Sequence, residues 1–199
     1  MNIYYLLILI LILLIIIYFV NKKEQEKFFS NIKKKKVFIS YIYFEKKNAK
    51  KNFEYFLNNG GIIESDNIDY IITINGFKCS LKLPKFKNIK YIFKENKCYD
   101  IGSHGLALNK INSNDYDYFI FMNDTIKGPY LKNKNNSWIN IFTSKINKKC
   151  KLYGIELANS ECRYKGFPPK PAPKRKIKFV GSMLLCTDKI GLNIIRPYM

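Results

Sequence analysis

The chain has few residues of the kinds that usually identify a metal centre or a disulfide-bonded protein. Only one of its 199 residues is a histidine, His104, and its five cysteines form no C-x-x-C pair. No cysteine or histidine has the spacing of a zinc site. These absences argue against bound zinc and predict reduced thiols, with a Cys150–Cys162 bridge as the alternative if the domain faces a secretory lumen.

Arginine is also scarce, although the chain is strongly basic. It carries 35 basic and 15 acidic residues, a net charge of +20, yet only three of the basic residues are arginine. A basic surface suggests nucleic acid, anionic lipid or a phosphorylated ligand as partner. Arginine is the residue that makes bidentate contacts with phosphates and base edges. Its scarcity argues against nucleic acid as the main partner and indicates that much of the charge is compositional.

What the chain does have is one long apolar segment at its start. The run from Ile3 to Val20 contains no charged residue and approaches the roughly 20 residues that span a bilayer. It lacks the basic start and small-residue cleavage site of a signal peptide. We therefore predict a single-pass transmembrane anchor over residues 1–20. The lysines that follow it favour a cytosolic domain by the positive-inside rule, but the flanks are short and long domains can override this rule, so the side of the membrane stays open.

Residues 21–36 form a basic stalk that ends in four lysines, and residues 37–199 form the predicted domain. Within the domain, β-branched and aromatic runs alternate with helical patterns, which is typical of an α/β fold with a mainly parallel sheet and flanking helices. The predicted strands cover residues 37–45, 68–76, 89–96, 116–124 and 150–157, and the predicted helices 46–61, 105–111 and 138–146. Residues 161–178 read as a Pro/Lys-rich loop, and 179–195 as a strand and a helix.

Polar residues follow several of these strands. Ligands of parallel sheets bind at the carboxyl ends of the strands, so these side chains are expected on one edge. Asp124 and Asn123 offer a carboxylate and an amide oxygen, which Mg²⁺ and Mn²⁺ prefer, and Gly102 and Gly105 would let the backbone approach a ligand. The alternative is that these are ordinary turn residues.

Three segments carry a family resemblance: "ENKCYDIGSHGLALNKI", "YDYFIFMNDTIKGPYL" and "FVGSMLLCTDKIGL". In this order they resemble the donor-binding half and a later acceptor-side segment of the GT-A glycosyltransferases, especially the family 2-like enzymes and related uncharacterised proteins. The resemblance covers roughly residues 37–195. It implies a GT-A-like fold and transfer of a sugar from a nucleotide-diphosphate donor to a glycan, lipid or protein acceptor.

The resemblance also implies roles for individual residues. Asp124 would bind a divalent metal, Mn²⁺ or Mg²⁺, with Asn123 where many relatives have a second acid. The nucleotide and sugar would contact Asn96, Asp100 and Gly102, with Asn75 and Glu45 near the base and ribose.

One element of the family pattern is missing. Inverting relatives use an acid after the "GSMLL…IGL"-like segment as the catalytic base, and here no acid follows Gly191. Asp188 and Glu156 are the available substitutes. Two alternatives therefore stay open: an inactive, shortened glycosyltransferase-like binding protein, and a basic membrane-surface protein that binds anionic polymers through lysines 33–36 and 170–178.

Overall fold

A computed structural model describes residues 35–131, 137–161 and 176–199, with the backbone alone for residues 157–161 and 176–179. The eight strands in these ranges are β1 (Val37–Phe44), β2 (Ile68–Asn75), β3 (Ile89–Lys94), β4 (Tyr118–Asn123), β5 (Leu152–Gly154), β6 (Leu157–Glu161), β7 (Lys176–Val180) and β8 (Leu184–Asp188). The four α-helices are α1 (Lys47–Asn58), α2 (Tyr99–Leu108), α3 (Trp138–Thr143) and α4 (Lys189–Ile195). Two short 3₁₀ helices cover Ser113–Asp115 and Arg196–Tyr198.

Six of the strands form the central sheet, in the order β3-β2-β1-β4-β8-β5. The first four are parallel, β8 is antiparallel to β4, and β5 is antiparallel to β8. β6 and β7 form a separate antiparallel pair. The prediction of an α/β fold with a mainly parallel sheet and flanking helices is therefore confirmed.

The central strands are continuous apolar runs because both faces of the sheet are covered. Tyr41 and Tyr43 on β1 pack against Phe53 of α1, with ring centroids 4.9 and 4.6 Å apart. Phe38 is an odd number of residues away from both tyrosines, so it belongs to the opposite face of the sheet, together with Leu108 of α2. The two helices thus hold the sheet from opposite sides, and its carboxyl edge is left for loops.

Several predicted boundaries were wrong. α2 begins at Tyr99, six residues before the predicted start at Gly105, because Cys98 and Tyr99 take positive φ values that turn the chain into the helix early. Gly105 lies inside α2, where a Cβ atom would come within 2.7 Å of the main chain of Met199. This glycine therefore permits packing inside the protein instead of contact with a ligand.

The second half of the domain also differs from the prediction. The fifth predicted strand is divided into β5 and β6, and α3 ends at Thr143, three residues short of the predicted helix end. Both ends of the predicted Pro/Lys-rich loop lie in strands, Glu161 in β6 and residues 176–178 in β7. Residues 162–175, and with them the predicted function of this loop, lie outside the described residues.

The last two residues of the predicted stalk belong to the domain. Lys35 donates to the hydroxyl of Tyr118 at 2.6 Å, and Lys36 forms an ion pair with Asp69 at 2.9 Å. These two lysines are therefore engaged by the fold. The predicted anchor and residues 21–34 lie outside the described residues, and none of the helices within the described ranges is long and apolar enough to cross a membrane.

Candidate functional site

The carboxyl ends of β1 and β4 lie side by side at the point where the strand order reverses. From β1 the chain leads to β2 on one side, whereas β4 borders β8 on the other. Such a reversal opens a crevice that is the usual ligand position in open α/β sheets. Here the crevice is a cavity of about 820 Å³, and its lining includes Asn75, Asn96, Asp100, Asn123 and Asp124. Five of the seven donor- and metal-binding residues predicted from the sequence therefore come together.

Asp124 joins the two central strands at this point. Its Oδ2 accepts the N–H of Phe44 at 2.6 Å, and its own N–H donates to the carbonyl of Ile42 at 3.1 Å. Among the described residues, no further hydrogen bond engages this carboxylate. Burial raises the pKa of Asp124 above its ordinary value and nearby Asp100 adds to the rise, although the Phe44 N–H and Lys46 oppose it.

Asn123 is engaged within the site. Its Nδ2 donates to Oδ2 of Asp100 at 3.0 Å, and its Oδ1 accepts the N–H and the hydroxyl of Thr125 at 3.1 and 2.5 Å. The predicted role of Asn123 was to offer this oxygen to a metal. Its hydrogen bonds make it a residue that orients Asp100, because both ends of its amide are already used.

A divalent ion would fit between the carboxylates of Asp100 and Asp124. Asp100 and Asp124 interact unfavourably as like charges, and a cation between them would remove that repulsion. The described residues contain no group of three or more His, Cys, Asp or Glu side chains that forms a ready metal site. Mg²⁺ is often bound by one or two carboxylates together with ligand phosphates and water. The residues present therefore fit an ion that arrives with a phosphorylated ligand.

Lysines surround these two carboxylates. Lys46, Lys47, Lys51 and Lys127 all line the same cavity. The first turn of α1 also faces it, and that turn has neither an acidic residue nor a side-chain cap. Cationic side chains and free helix N–H groups both favour anions. The cavity therefore combines two carboxylates with a larger number of positive groups, which suits a phosphorylated ligand.

Asn75 lies at the floor of the cavity and supports the turn between β3 and α2. It is 2% exposed, and its Oδ1 accepts from the hydroxyl of Ser103 at 3.1 Å and from Nζ of Lys94 at 3.4 Å. Lys94 also donates to the carbonyls of Glu95 and Lys97 at 2.7 Å. This network fixes the turn between β3 and α2, so the side chain of Asn75 positions the site even though it lies at the cavity floor.

Two of the predicted donor-binding residues do not line the cavity. Glu45 accepts the N–H of Ser80 at 2.5 Å and pairs with Lys78 at 3.2 Å, so it holds the loop after β2. Gly102 lies in the first turn of α2, where a Cβ atom would come within 2.4 Å of Cβ of Cys98. Their expected contact with the base, ribose or sugar finds no support in these positions.

The two candidate bases lie at opposite ends of the sheet. Because β8 is antiparallel to β4, Asp188 pairs with Tyr118 at the amino end, roughly 15–20 Å from Asp124 at the rise of a β-strand. There it caps α4 through the N–H of Gly191 at 3.0 Å and pairs with Lys151 at 2.5 Å. Burial alone would raise the pKa of Asp188, but these two contacts lower it below its ordinary value. Asp188 cannot reach an acceptor bound over the cavity.

Glu156 is at the correct end. β5 runs in the same direction as β4 because both are antiparallel to β8, and Glu156 follows the end of β5, where its carbonyl accepts the N–H of Gly181 at 3.1 Å. It is exposed and does not line the cavity. Its role as a base stays a prediction.

His104 is buried between α2 and the sheet, one helical turn after Asp100. Its Nδ1 lies 2.8 Å from the hydroxyl of Ser40, and its ring packs edge-on against Phe121 at 5.2 Å. Burial lowers the pKa of His104 to about 4, although Asp100 acts in the opposite direction. The neutral imidazole therefore belongs to the packing between α2 and the sheet.

The lysines that line the cavity and Tyr99 were not predicted from the sequence as site residues. The "EKKNAKK" segment directly after β1 was the available signal for the lysines, since the first strand–helix turn of such folds commonly faces the ligand. The high lysine content of the whole chain hid it. Tyr99 gave no signal, because a tyrosine before an aspartate has no specific meaning in sequence.

Comparison with protein-family models gives no match to this chain, and a search of curated proteins gives no significant match.

Proposed function

We propose that this chain is a membrane-anchored glycosyltransferase of the GT-A type, which moves a sugar from a nucleoside diphosphate to a hydroxyl group on a glycan, lipid or protein. The observation that carries the proposal is the meeting of Asp100 and Asp124 in one lysine-lined cavity at the strand-order reversal. The partly parallel sheet with an antiparallel β8 accommodates the resemblance to the GT-A fold.

The charges of the cavity match the parts of a nucleotide sugar. The diphosphate would lie among Lys46, Lys47 and Lys51 at the start of α1, where positive groups are concentrated. A bound Mn²⁺ or Mg²⁺, held by Asp124 and Asp100, would supply further positive charge to the diphosphate oxygens. Asn123 would keep Asp100 oriented through its hydrogen bond.

These groups would act on the bond between the sugar and the diphosphate. Negative charge develops on the diphosphate as this bond breaks, and fixed positive groups in a partly buried cavity stabilise such charge. The acceptor hydroxyl would attack the anomeric carbon and lose its proton to a base. Glu156 is the described acid that lies at the same edge on the β5 side, so it is the candidate for that step.

A second candidate function is binding of a nucleotide sugar without transfer. It is favoured by the position of Asp188 at the far end of the sheet and by the absence of any acid other than Asp100 and Asp124 from the described lining of the cavity. A base must come within hydrogen-bonding distance of the acceptor hydroxyl.

Thermal unfolding in the presence of UDP, GDP or ADP, each with and without Mn²⁺, tests the binding step. A ligand at 100 times its dissociation constant stabilises a folded protein by about 2.7 kcal/mol, so a clear rise in melting temperature is expected with at least one nucleotide. If none of the three nucleotides raises the melting temperature under either condition, the proposal is wrong.

Labelled nucleotide sugars then separate the two functions. Release or transfer of the sugar by the wild type, lost in Glu156→Gln while nucleotide binding persists, supports the enzyme with Glu156 as base. Binding without release or transfer across donors supports the second function.

A further inference from the structure

Tyr99 presents its side chain at the edge of the cavity without a partner. It is the first residue of α2, lies next to Asp100 and lines the cavity, yet it is 78% exposed. No other aromatic ring and no lysine amine among the described residues packs against its ring. An exposed aromatic ring beside a polar cavity offers a flat apolar surface to whatever the cavity binds.

The backbone beneath this ring is fixed in a strained conformation. Cys98 and Tyr99 have φ values of 61° and 46°, in the left-handed region that residues with a side chain rarely adopt. The carbonyl of Tyr99 accepts from the hydroxyl of Ser103 at 2.5 Å and from Nδ2 of Asn75 at 3.5 Å. Gly102 leaves room for Cys98, because a Cβ atom at residue 102 would come within 2.4 Å of Cβ of Cys98. Such strain persists only where the surroundings hold it.

The position of Tyr99 indicates which part of a ligand it would contact. Its carbonyl is held from the end of β2, and Asn96 of the same cavity follows β3, so Tyr99 lies on the β2–β3 side. The acceptor-side candidate Glu156 lies beyond β8, on the opposite side. A donor whose diphosphate lies near Asp100 and Asp124 and whose sugar faces the acceptor must direct its base toward Tyr99.

We infer that Tyr99 is the platform on which the heteroaromatic base of the nucleoside ligand stacks, and therefore a residue that determines specificity for nucleotides over simpler diphosphates. This inference rests on the proposed function. Aromatic side chains and bases stack favourably through their flat faces, with little dependence on which base is present. In the proposed function the phosphate part of the ligand contacts Lys46, Lys47 and Lys51, so the two contributions can be measured separately.

Calorimetric titration with UDP, GDP, ADP and inorganic pyrophosphate tests the platform. Tyr99→Gly removes the ring and suits the positive φ, since glycine adopts it without strain. Tyr99→Phe keeps the ring, and Tyr198→Ala removes a tyrosine of similar exposure, 81%, outside the cavity. We expect Tyr99→Gly to weaken nucleoside diphosphate binding roughly tenfold or more and to leave pyrophosphate binding unchanged. Tyr99→Phe and Tyr198→Ala should bind both ligands as the wild type does.

The outcomes separate the platform from the proposed function. If Tyr99→Gly binds nucleoside diphosphates as the wild type does, or loses pyrophosphate binding as much as nucleoside diphosphate binding, the base does not stack on Tyr99. The proposed diphosphate site is not contradicted by either result. If the wild type binds neither nucleoside diphosphates nor pyrophosphate, the proposed function fails with it. Thermal unfolding of Tyr99→Gly, with a melting temperature close to that of the wild type, verifies that the loss comes from the missing ring.

Discussion

Two aspartates at the amino end of the central sheet are neutralised by lysines of the protein, whereas two aspartates at the carboxyl end are not. At the amino end, Asp69 pairs with Lys36 at 2.9 Å, and Asp188 pairs with Lys151 at 2.5 Å while capping α4. At the carboxyl end, neither Asp100 nor Asp124 forms an ion pair with any described lysine, although four lysines line the same cavity.

This difference separates residues that stabilise the fold from residues that, in the proposed function, hold a ligand. Ion pairs and caps contribute free energy to folding. A half-buried carboxylate beside another carboxylate opposes folding while it is ionised, as the raised pKa of Asp124 indicates. Groups of this kind are concentrated at functional sites, where a bound molecule supplies the missing charge. Changes in pH and substitutions at the two ends of the sheet should therefore alter the free energy of unfolding differently.

The largest effect on stability is expected from His104, beneath the carboxyl end. Its pKa is lowered from 6.5 to about 4, so the unfolded chain takes up a proton first as the pH falls. The free energy of unfolding should therefore fall by about 3 kcal/mol between pH 7 and pH 4 through this group. His104→Asn places an amide near the Ser40 hydroxyl but does not titrate. Urea unfolding at pH 7, 5 and 4 should show a weaker pH dependence for this variant, and identical pH dependence would refute the assignment.

Removing a neutralised aspartate should destabilise the protein. Asp188→Ala removes both the cap of α4 and the ion pair with Lys151, for an expected loss of about 2 kcal/mol. Asp188→Asn keeps a capping side chain and should lose about 1 kcal/mol or less. Chemical denaturation at pH 7 measures both. Wild-type stability of Asp188→Ala would show that the amino end does not depend on its aspartates.

Removing an aspartate at the carboxyl end should not destabilise the protein. Asp124→Asn keeps an oxygen for the Phe44 N–H and removes a charge whose pKa is raised by burial. The wild type gains stability as the pH falls through this raised pKa, because the folded form then binds more protons than the unfolded form. Without metal, Asp124→Asn should match or exceed the wild type at pH 7, and its advantage should shrink in acid. A variant that is clearly less stable at pH 7 would contradict this expectation.

The smallest effect distinguishes two lysines. Lys36→Gln breaks the partly exposed pair with Asp69 and should cost up to about 1 kcal/mol at low salt, less at high salt because ions screen the pair. Lys51→Gln in the cavity should cost nothing, since no carboxylate among the described residues pairs with Lys51. Equal losses in the two variants, measured by denaturation at two salt concentrations, would remove the distinction between the two ends.

The central sheet was predictable because its strands carry a strong local signal. The apolar runs around Phe38, Ile72 and Phe121 have a buried side chain at almost every position, which identifies strands covered on both faces. Gathering Asp100 and Asp124 at one edge followed from the parallel direction of those strands. The rule that ligands bind at the carboxyl ends of parallel strands requires no knowledge of side-chain contacts, and the positions of Asp100 and Asp124 agree with it.

The remainder of the site depends on contacts that the sequence does not reveal. The early start of α2 results from positive φ values at Cys98 and Tyr99, which neither residue type suggests. Asp188 was named as a substitute base because the family resemblance places a base near the end of the domain, but the antiparallel direction of β8 puts Asp188 level with Tyr118, at the amino end of β4. Glu45 ends its strand as predicted, yet it holds Ser80 and Lys78 instead of facing the cavity.

Whether Asp124 helps to hold the ligand can be measured by calorimetric titration of the wild type, Asp124→Asn and Asp188→Asn with Mn²⁺ and the most stabilising of UDP, GDP and ADP. We expect Asp188→Asn to bind as the wild type does and Asp124→Asn to bind at least roughly tenfold more weakly, because it loses a charged metal ligand. Equal affinity of Asp124→Asn and the wild type would contradict this role of Asp124, because the carboxylate at the end of β4 would then have no part in holding the ligand.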